Sequence, residues 1–569
     1  MTNPTHPQLQ HVYQQLQDGK LKQAAAYCAE FLTQHPNVFE AHYLLGSILM
    51  QDGQAANAVT ALCTAIELNP NASHAFHALG LAMCQLKQYP AGIECFDQAI
   101  VLAPEDATLY CDRGTAFDCS NQRSQAIQNY TQAITLNPNY ALAYHNRGVT
   151  QYKSQAFESA ITDQTHAITI DPSCAEFYVA RGNAHKQQLQ YDAAIADYAQ
   201  AIQRDPRHPD AQYHLGITLK EIKRIDDAIA CFDQVIQQHP QHAGAHYSKA
   251  TALLLNGNLR DGFDLFEWRR QLDTIALNRT PTQASLWRGE HALQGKSLLI
   301  RHEQGLGDSL QMVRFVPALL AQGARVWIEA PPPLVTLYQL IPAIEGVIPL
   351  NQPTPDTDVY CDLMSLPLAC KVDRDTIPLA SGYITPAPDK VRAWKDRMYA
   401  DSNRLRVGLV WAGGAREFDT EFSIVNARRN IPLFLFQMLA QPNVHFYSLQ
   451  KGAQAQEQLA QLIQQQQEDV VAFNVTDFTD AFEDFSDTAA CIAHLDLVIT
   501  VDTAVAHLAA AMAKPVWLLN RYDTCWRWQH EGTHSPWYDS LRIYRQSVPG
   551  DWTSVMTQVA RDLASLTNA

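Results

Sequence analysis

Prolines recur at one fixed interval through the first half of the chain. The interval is 34 residues, and the prolines stand at positions 36, 70, 104, 138, 172, 206 and 240. Small residues keep the same interval in two further phases. The first phase holds Gly46, Gly80, Gly114, Gly148, Gly182, Gly216 and Ala250. The second holds Ala58, Gly92, Ala126, Ala160, Ala194, Ala228 and Gly262. A unit this short cannot bury its apolar face alone, so successive units must stack on one another.

Each phase of the period has a physical role in such a stack. Small residues let the two helices of a unit approach closely, and the proline ends the second helix. Aromatic residues keep a further phase and are expected to fill the gap between neighbouring units; they are Phe96, Tyr130, Tyr198, Phe232 and Phe266. The pattern resembles tetratricopeptide repeats, with seven whole repeats over 5–242 and a partial one to about 276. The resemblance implies an α-solenoid over 5–276 whose concave groove binds a protein partner.

Two uses of this solenoid stay open, a protein-binding groove and a spacer or oligomerisation surface. In O-GlcNAc transferases, in which such repeats precede a sugar-transfer domain, asparagines at the sixth repeat position line the groove. Here only Asn146 matches, and the other sixth positions are Leu44, Ala78, Asp112, Ala180, His214 and Ser248. Binding of a peptide backbone by an asparagine ladder is therefore not expected.

After about residue 277 the period ends, and short apolar runs alternate with amphipathic segments. A linker is predicted over 277–295, and strands are predicted at Ser297–His302, Ala324–Glu329, Gly346–Leu350, Arg406–Trp411, Val444–Leu449, Leu497–Val501 and Pro515–Leu519. Alternating strands and helices predict parallel sheets with helices on both faces. An interdomain connection at 386–404 breaks the alternation. Two doubly wound halves are therefore expected, over 296–385 and 405–569, and they would face a cleft.

Composition limits the classes of ligand. The 569 residues carry a formal net charge of −16, which argues against broad binding to nucleic acid or anionic membranes, because both need clustered Lys and Arg. The 12 cysteines form no CxxC pair, as is typical of buried free thiols in a reducing compartment. The N-terminus has no signal-like pattern, and no apolar run reaches about 18 residues, so a cytoplasmic protein without a membrane span is expected.

The first motif with chemistry is the stretch QGLGDS at 304–309, where a predicted strand ends. Gly305 and Gly307 allow other groups to come close, and Asp308 stands where a helix begins. Pro317 is expected to interrupt or kink that helix. Taken alone, an aspartate in this place is most often a helix cap.

The second motif is VDTAVAH at 501–507, where another predicted strand gives way to a helix at Asp502 and Thr503. The free N–H groups of a helix start favour a diphosphate. Thr503 and His507 lie one turn apart, on a face expected to point away from the core. The alternative interpretation is a helix cap followed by a surface histidine.

A third motif, WAGG at 411–414, again places glycines after a strand. Downstream, Arg429 or Lys451 could neutralise phosphates, although exposed solubilising charges are the simpler interpretation of either residue alone. The stretch HEGTH at 530–534 fits the HExxH pattern of zinc proteases. Because Gly532 and the following Ser-Pro oppose the continuous helix that such a zinc site needs, no metal site is expected there.

Together these motifs resemble the heptosyltransferase-like glycosyltransferases over roughly 285–548. The matching stretches are LLIRHEQGLGDSLQMVRFVP, VGLVWAG, SLQKG, LDLVITVDTAVAHLAAAMAKPVWLL and WRW…SPWYDSLRIYRQ. The resemblance implies a GT-B fold, in which two Rossmann-like domains face a cleft. It also implies inverting transfer of a sugar from a nucleotide-sugar donor to a protein or glycan acceptor, without a cofactor or an essential metal.

The resemblance carries roles onto individual residues. The family's candidate general base matches Asp308, and its contacts to donor sugar and diphosphate match Asp502 and Thr503, with His507 one turn further. The full expected donor site is Gly305, Gly307, Trp411, Gly413, Arg429, Lys451, Asp502, Thr503, Ala504 and His507.

The chain departs from the family after Trp411. The long stretch GAREFDTEFSIVNARRNIPL replaces a short polar one, and Asn430 stands where a serine is usual. An interaction scaffold with an inactive transferase domain is therefore one alternative, and a protein glycosyltransferase of the O-GlcNAc type is another. The identities of donor and acceptor stay open.

Overall fold

The computed structural model describes residues 9–272, 282–378, 382–398, 404–414, 420–464 and 473–567. Parts of the predicted segments lie outside the described residues, namely 5–8, 273–281, 379–381, 399–403, 415–419, 465–472 and 568–569. The chain forms two compact units, residues 1–211 and 212–569. The second unit therefore takes in the last repeats together with the whole α/β part.

The repeat region is a run of short helices joined by tight turns. In chain order they are α1 (Gln10–Gln17), α2 (Leu21–Gln34), α3 (Phe39–Gln51), α4 (Ala55–Leu68), α5 (Ser73–Gln85), α6 (Tyr89–Leu102), α7 (Ala107–Cys119), α8 (Arg123–Leu136), α9 (Ala141–Lys153), α10 (Phe157–Ile170), α11 (Ala175–Gln187), α12 (Tyr191–Arg204), α13 (Pro209–Glu221), α14 (Ile225–Gln238), α15 (Ala243–Leu255) and α16 (Leu259–Phe266). Helices such as α4 and α6 end two residues before the periodic proline, as the sequence predicts.

Within the first unit, the periodic glycines lie under periodic aromatic rings. A Cβ atom on Gly80 would lie 2.7 Å from the ring of Phe96, and one on Gly114 would lie 2.8 Å from the ring of Tyr130. The predicted close approach of the two helices is therefore confirmed. The rings fill the space inside a repeat as well as between repeats, since Tyr130 also packs with Ala143 of the next repeat.

The first α/β half is a parallel sheet with strand order β1-β5-β2-β3-β4. Its elements are β1 (Ser285–Leu286), β2 (Ser297–Arg301), α17 (Leu306–Met312), α18 (Val316–Ala321), β3 (Arg325–Ala330), α19 (Pro332–Tyr338), β4 (Gly346–Pro349), β5 (Val359–Asp362) and α20 (Leu366–Ala369). A 3-10 turn separates α17 from α18 beside Pro317, as predicted. The predicted linker 277–295 is wrong in one respect, because β1 lies in it and pairs with β5.

The second half is a larger sheet with strand order β11-β12-β10-β9-β6-β7-β8, parallel except for β11. Its elements are α21 (Pro388–Met398), β6 (Leu405–Val410), α22 (Thr420–Arg429), β7 (Val444–Ser448), α23 (Ala453–Gln464), β8 (Val475–Asp477), α24 (Phe485–Ile492), β9 (Leu497–Val501), α25 (Ala504–Ala511), β10 (Val516–Asn520), β11 (His534–Ser535), β12 (Tyr538–Arg545) and α26 (Trp552–Thr567). All seven predicted strands form, and the sequence missed β1, β5, β8, β11 and β12.

The final helix docks on the second half through apolar residues that recur every four positions. Val555, Val559 and Leu563 of α26 are buried in one cluster with Phe446 of β7. The predicted fold class, an α-solenoid followed by two Rossmann-like halves of the GT-B type, is confirmed. Within the described ranges, no helix has both the length and the apolar composition that crossing a membrane requires.

Candidate functional site

Asp308 lies in the first turn of α17 and caps it. The N-cap residue is Gly305, whose extended backbone (φ −98°, ψ 171°) turns the chain from the strand end into the helix. The Gly305 N–H donates to Asp308 Oδ2 at 2.9 Å. Asp308 therefore satisfies one of the N–H groups that a helix start leaves open.

The other carboxylate oxygen of Asp308 is ion-paired with Arg527, in the 3-10 turn Trp526–Trp528 of the second half. Arg527 Nη2 donates to Asp308 Oδ1, Nε to Gln311 Oε1 at 3.0 Å, and Nη1 to the Cys525 sulfur at 3.0 Å. The two paired side chains are 16% and 12% exposed, so the pair is sheltered but reachable. Burial lowers the pKa of Arg527 to about 10, which leaves the guanidinium charged at neutral pH.

Helix α25 begins at the carboxyl end of β9, as the sequence predicts. Its N-cap is Thr503, with extended backbone (φ −139°, ψ 171°), whose own side chain makes no capping hydrogen bond. Instead, the Thr503 hydroxyl lies 3.2 Å from that of Thr500. Asp502, Thr503 and Ala504 are half-buried. An uncapped helix start beside parallel strand ends is suited to bind an anion.

Helices α17 and α25 pack against each other at a glycine, which joins the two halves of the α/β part. A Cβ atom on Gly307 would lie 2.8 Å from His507 Cδ2 and 3.6 Å from the Cα of Ala504. Asp308 follows Gly307 in the same turn, so this contact packs the turn that carries the carboxylate against α25. The structure therefore brings together the two motifs from the separate halves.

His507 is buried, with only 3% of its surface exposed. The prediction of a face pointing away from the core is wrong, because α17 and two aromatic residues cover that face. The imidazole stacks on Trp528 with ring centroids 5.0 Å apart, and its Nδ1 shares a 2.9 Å hydrogen bond with the Tyr538 hydroxyl. Burial lowers the pKa of His507 to about 4, so the imidazole is neutral at physiological pH.

Trp411 and Gly413 occupy different surroundings although they are near neighbours. The Trp411 indole is 2% exposed and lies in the core cluster of the second half. Gly413 donates its N–H to Asn430 Oδ1 at 2.9 Å. The residue that departs from the family pattern therefore holds the glycine loop.

The two candidate phosphate-neutralising cations are engaged within the protein. Arg429 Nη1 donates to the Asp502 carbonyl at 2.7 Å, which ties the end of α22 to the start of α25. Lys451 Nζ donates to the Phe482 carbonyl. Arg429 is therefore beside the candidate anion site, whereas Lys451 is tied to the turn at Phe482.

The HExxH stretch does not form a helix. His530 Nδ1–H donates a 3.2 Å hydrogen bond to the Leu255 carbonyl, and His534 begins the two-residue strand β11. Among the described residues, no group of three or more His, Cys, Asp or Glu side chains could hold a metal ion. The geometry of a zinc protease is therefore absent from this loop.

The last repeat is anchored at the carboxyl edge of the first sheet. Arg269, which follows α16, is fully buried and binds Glu303 with two hydrogen bonds, Nε to Oε1 at 2.7 Å and Nη2 to Oε2 at 2.8 Å. Its Nη2 also donates to Ser365 Oγ at 2.8 Å, and the neighbouring Arg270 pairs with Asp362 at the end of β5. The end of the repeat region is therefore part of the wall that surrounds the α17 site.

A second buried arginine, Arg314, joins the two halves. Among the described residues, no carboxylate lies within ion-pair distance of its guanidinium. Its Nη1 donates to the Trp537 carbonyl at 2.6 Å and its Nη2 to the Tyr383 hydroxyl at 3.1 Å. The guanidinium also lies 4.6 Å from the centre of the Tyr538 ring. Aromatic faces and carbonyl dipoles stabilise this charge in place of an acid.

Sequence reasoning missed several side chains of this site. Arg527, Gln311, Cys525 and Tyr538 had no predicted role, although Arg527 and Tyr538 fall within the stretch WRW…SPWYDSLRIYRQ. The signal available was the clustering of tryptophans around a single arginine. Nothing in the spacing indicates that this arginine meets an aspartate about 220 residues earlier.

Comparison with known proteins gives family matches in both regions. Tetratricopeptide-repeat models match residues 9–73, 120–155 and 186–254. The model of glycosyltransferase family 9 (heptosyltransferase) matches residues 435–549. Protein FlbA of Caulobacter vibrioides is 26% identical over 351 residues, which cover 56% of this chain and 55% of FlbA. The chain thus spans about half the length of that relative.

Solved structures with matching regions include two repeat proteins. The crystal structure of MamA matches with a TM-score of 0.28 at 21% identity, covering 30% of this chain and 97% of MamA. The pilF protein of Pseudomonas aeruginosa matches with a TM-score of 0.33 at 18% identity, covering 37% of this chain and 96% of pilF.

Proposed function

We propose that this chain, which joins tetratricopeptide repeats to a heptosyltransferase-like glycosyltransferase domain, transfers a sugar from a nucleotide-sugar to an acceptor hydroxyl with inversion. The observation that carries the proposal is the packing of Gly307 against Ala504 and His507. Through that contact the turn of α17 that carries the Asp308 carboxylate packs against the first turn of α25. A base and an anion site side by side are what displacement of a diphosphate requires.

In the proposed reaction, Asp308 takes the proton of the acceptor hydroxyl as that oxygen bonds to the anomeric carbon. The bond between the anomeric carbon and the donor phosphate oxygen breaks on the opposite face, and its electron pair leaves on the diphosphate. General-base catalysis of this kind contributes on the order of 100- to 10,000-fold. The N–H groups at the start of α25 stabilise the departing diphosphate, and Arg429, which donates to the Asp502 carbonyl, adds a positive charge on that side.

The neutral state of His507 supports a positioning role for this residue. Its burial, its stacking on Trp528 and its bond to Tyr538 fix the first turns of α25 against α17. A neutral imidazole in that position does not compete with Arg527 for Asp308.

We assign the repeat region the recruitment of a protein partner or protein acceptor, because its last repeat forms part of the wall near α17.

Titration calorimetry with ADP, GDP and UDP tests the donor part of the proposal. Binding of one of these nucleotides at micromolar to low millimolar concentration is expected, and substitution of Thr503 by Val is expected to weaken it. The transfer itself is then measured as release of that nucleotide from the corresponding nucleotide-sugars in the presence of candidate acceptors. Absence of binding for all three nucleotides at millimolar concentration would contradict the proposal.

A second candidate function, an interaction scaffold with an inactive transferase domain, is favoured by one observation. Both cations predicted to neutralise phosphates donate to backbone carbonyls of the protein itself. The calorimetric series separates the two functions, because a scaffold with an inactive domain has no reason to bind nucleoside diphosphates.

A further inference from the structure

Arg527 has an incomplete set of partners in the state that the structure shows. Two of the three hydrogen bonds that its guanidinium donates go to strong acceptors, the Asp308 carboxylate and the Gln311 amide oxygen. The third is to the sulfur of Cys525, and a neutral thiol is a weak acceptor. Burial raises the pKa of Cys525 to about 12, so the thiol stays neutral at physiological pH. A phosphate oxygen would be a much stronger partner for the same N–H group.

Gln311 adds an unused donor at the same place. The residue is fully buried, and its Oε1 accepts from Arg527. Its Nε2 has no hydrogen-bond partner among the described residues. Since an unsatisfied buried amide is costly, this N–H group beside Arg527 is suited to an anionic ligand oxygen.

The position of the ion pair links it to the candidate donor site. A Cβ atom built on Gly307, one residue before Asp308, would lie 3.6 Å from the Cα of Ala504. Ala504 is the first residue of α25. The Cys525 sulfur accepts a hydrogen bond from Arg527. The Asp502 carboxylate lies close enough to this thiol to contribute to raising the pKa of Cys525. The Gly307–Ala504 contact and the Asp308–Arg527 pair therefore connect Arg527 with the start of α25 through α17.

We infer that Arg527 exchanges partners during the reaction, pairing with Asp308 when the site is empty and with the donor diphosphate when it is occupied. The inference rests on the proposed function. In the paired state both oxygens of Asp308 accept hydrogen bonds, one from Gly305 and one from Arg527, and the carboxylate is a poor base. Transfer of Arg527 to the diphosphate frees Asp308 to take the acceptor proton. The base is then active only when the donor is bound.

A double-mutant cycle on nucleoside diphosphate affinity tests this exchange. In Asp308→Asn the competitor for Arg527 is weakened, so the nucleotide that the wild type binds is expected to bind roughly three- to tenfold more tightly. In Arg527→Gln the same nucleotide is expected to bind about tenfold more weakly. In the double variant, Asp308→Asn is expected to produce no tightening, because the cation that it releases is gone.

Matched controls come from another ion pair of the same half, Arg542 with Asp562, whose atoms are 2.6 Å apart. Arg542→Gln and Asp562→Asn are expected to leave nucleotide affinity unchanged. Thermal unfolding of every variant checks that it is folded. If Arg527→Gln fails to fold, Arg527→Lys replaces it, since it keeps the charge and loses the forked geometry.

The outcomes separate the exchange from the proposed function. Equal affinity of the wild type and Asp308→Asn, or equal tightening with and without Arg527, would overturn the exchange while leaving the proposed function intact. Failure of the wild type to bind ADP, GDP or UDP would overturn the proposed function and the exchange together.

Discussion

Gly307 and His507 meet where the two halves of the α/β part join, and no side chain larger than hydrogen fits at position 307. A Cβ atom there would lie 2.8 Å from His507 Cδ2, and the imidazole is held between Trp528 and Tyr538. The need for glycine in this motif is therefore set by a partner in the other half, some 200 residues later in the chain.

Gly307→Ala is accordingly expected to destabilise the protein by roughly 1–3 kcal/mol, because the clash must displace α17 or the buried imidazole. Sugar transfer should fall as well, since Asp308 moves with α17. Chemical denaturation and the rate of nucleotide release measure the two effects. Gly414→Ala serves as the control for stability, because a Cβ atom there meets no atom of the described residues within 4 Å. A variant at 307 with wild-type stability would contradict the close packing.

His507 makes stability depend on pH in a defined direction. Its pKa is about 4 in the folded protein and about 6.5 when unfolded, so the unfolded chain binds the proton first as pH falls. The stability it contributes is present above pH about 6.5 and is lost between about 6.5 and 4, at no more than about 1.4 kcal/mol per pH unit. His507→Gln lacks this titration. The difference in melting temperature between wild type and variant should therefore shrink from pH 7.5 to pH 4.5, and a constant difference would contradict the assignment.

The buried pair of Arg269 and Glu303 is expected to be sensitive to loss of one partner. Arg269→Ala leaves a carboxylate with 1% exposure without its counter-charge, which costs about 3–5 kcal/mol. Replacing both residues, with Arg269→Met and Glu303→Leu, removes both charges and should recover part of that loss. Urea denaturation of Arg269→Met, Glu303→Leu and the double variant measures the coupling. Additive losses would show that the two side chains act independently.

The grouping of the last repeats with the α/β part predicts where the chain can be shortened. A protein that begins at Gln212 keeps Arg269 and the packing of Phe263 on Trp526, whose ring centroids are 5.6 Å apart. One that begins at residue 282 loses both, and exposes Glu303 and the Trp526 ring. The longer form should be soluble with a cooperative thermal transition, and the shorter form should melt lower or aggregate. Equal melting temperatures would contradict a structural role for the last repeat.

The sequence predicted what depends on local patterns. The 34-residue period, the seven strands and the starts of α17 and α25 follow from spacing, glycine turns and capping, which act within a few residues. It did not predict β1 or β12, because a two-residue strand has no periodic signal and β12 follows a loop rich in aromatic residues. The burial of His507 and the pairing of Asp308 with Arg527 depend on how two halves pack. No spacing along one helix encodes that packing.

Asp308 makes two contacts within the protein. It caps α17 through Oδ2 and pairs with Arg527 through Oδ1, and neither contact prevents it from acting as a base once Arg527 has another partner. Capping alone and capping with catalysis differ in what Asp308→Asn does to the reaction, since asparagine can still accept the Gly305 N–H.

The most direct test is the rate of sugar transfer by Asp308→Asn, measured with the nucleotide-sugar whose nucleotide the wild type binds. The kcat of this variant is expected to fall on the order of 100- to 10,000-fold. Its nucleotide affinity is expected to be at least as high as that of the wild type, and its melting temperature to stay within a few degrees of the wild-type value. Transfer at the wild-type rate by this folded, nucleotide-binding variant would contradict the role of Asp308 as the base.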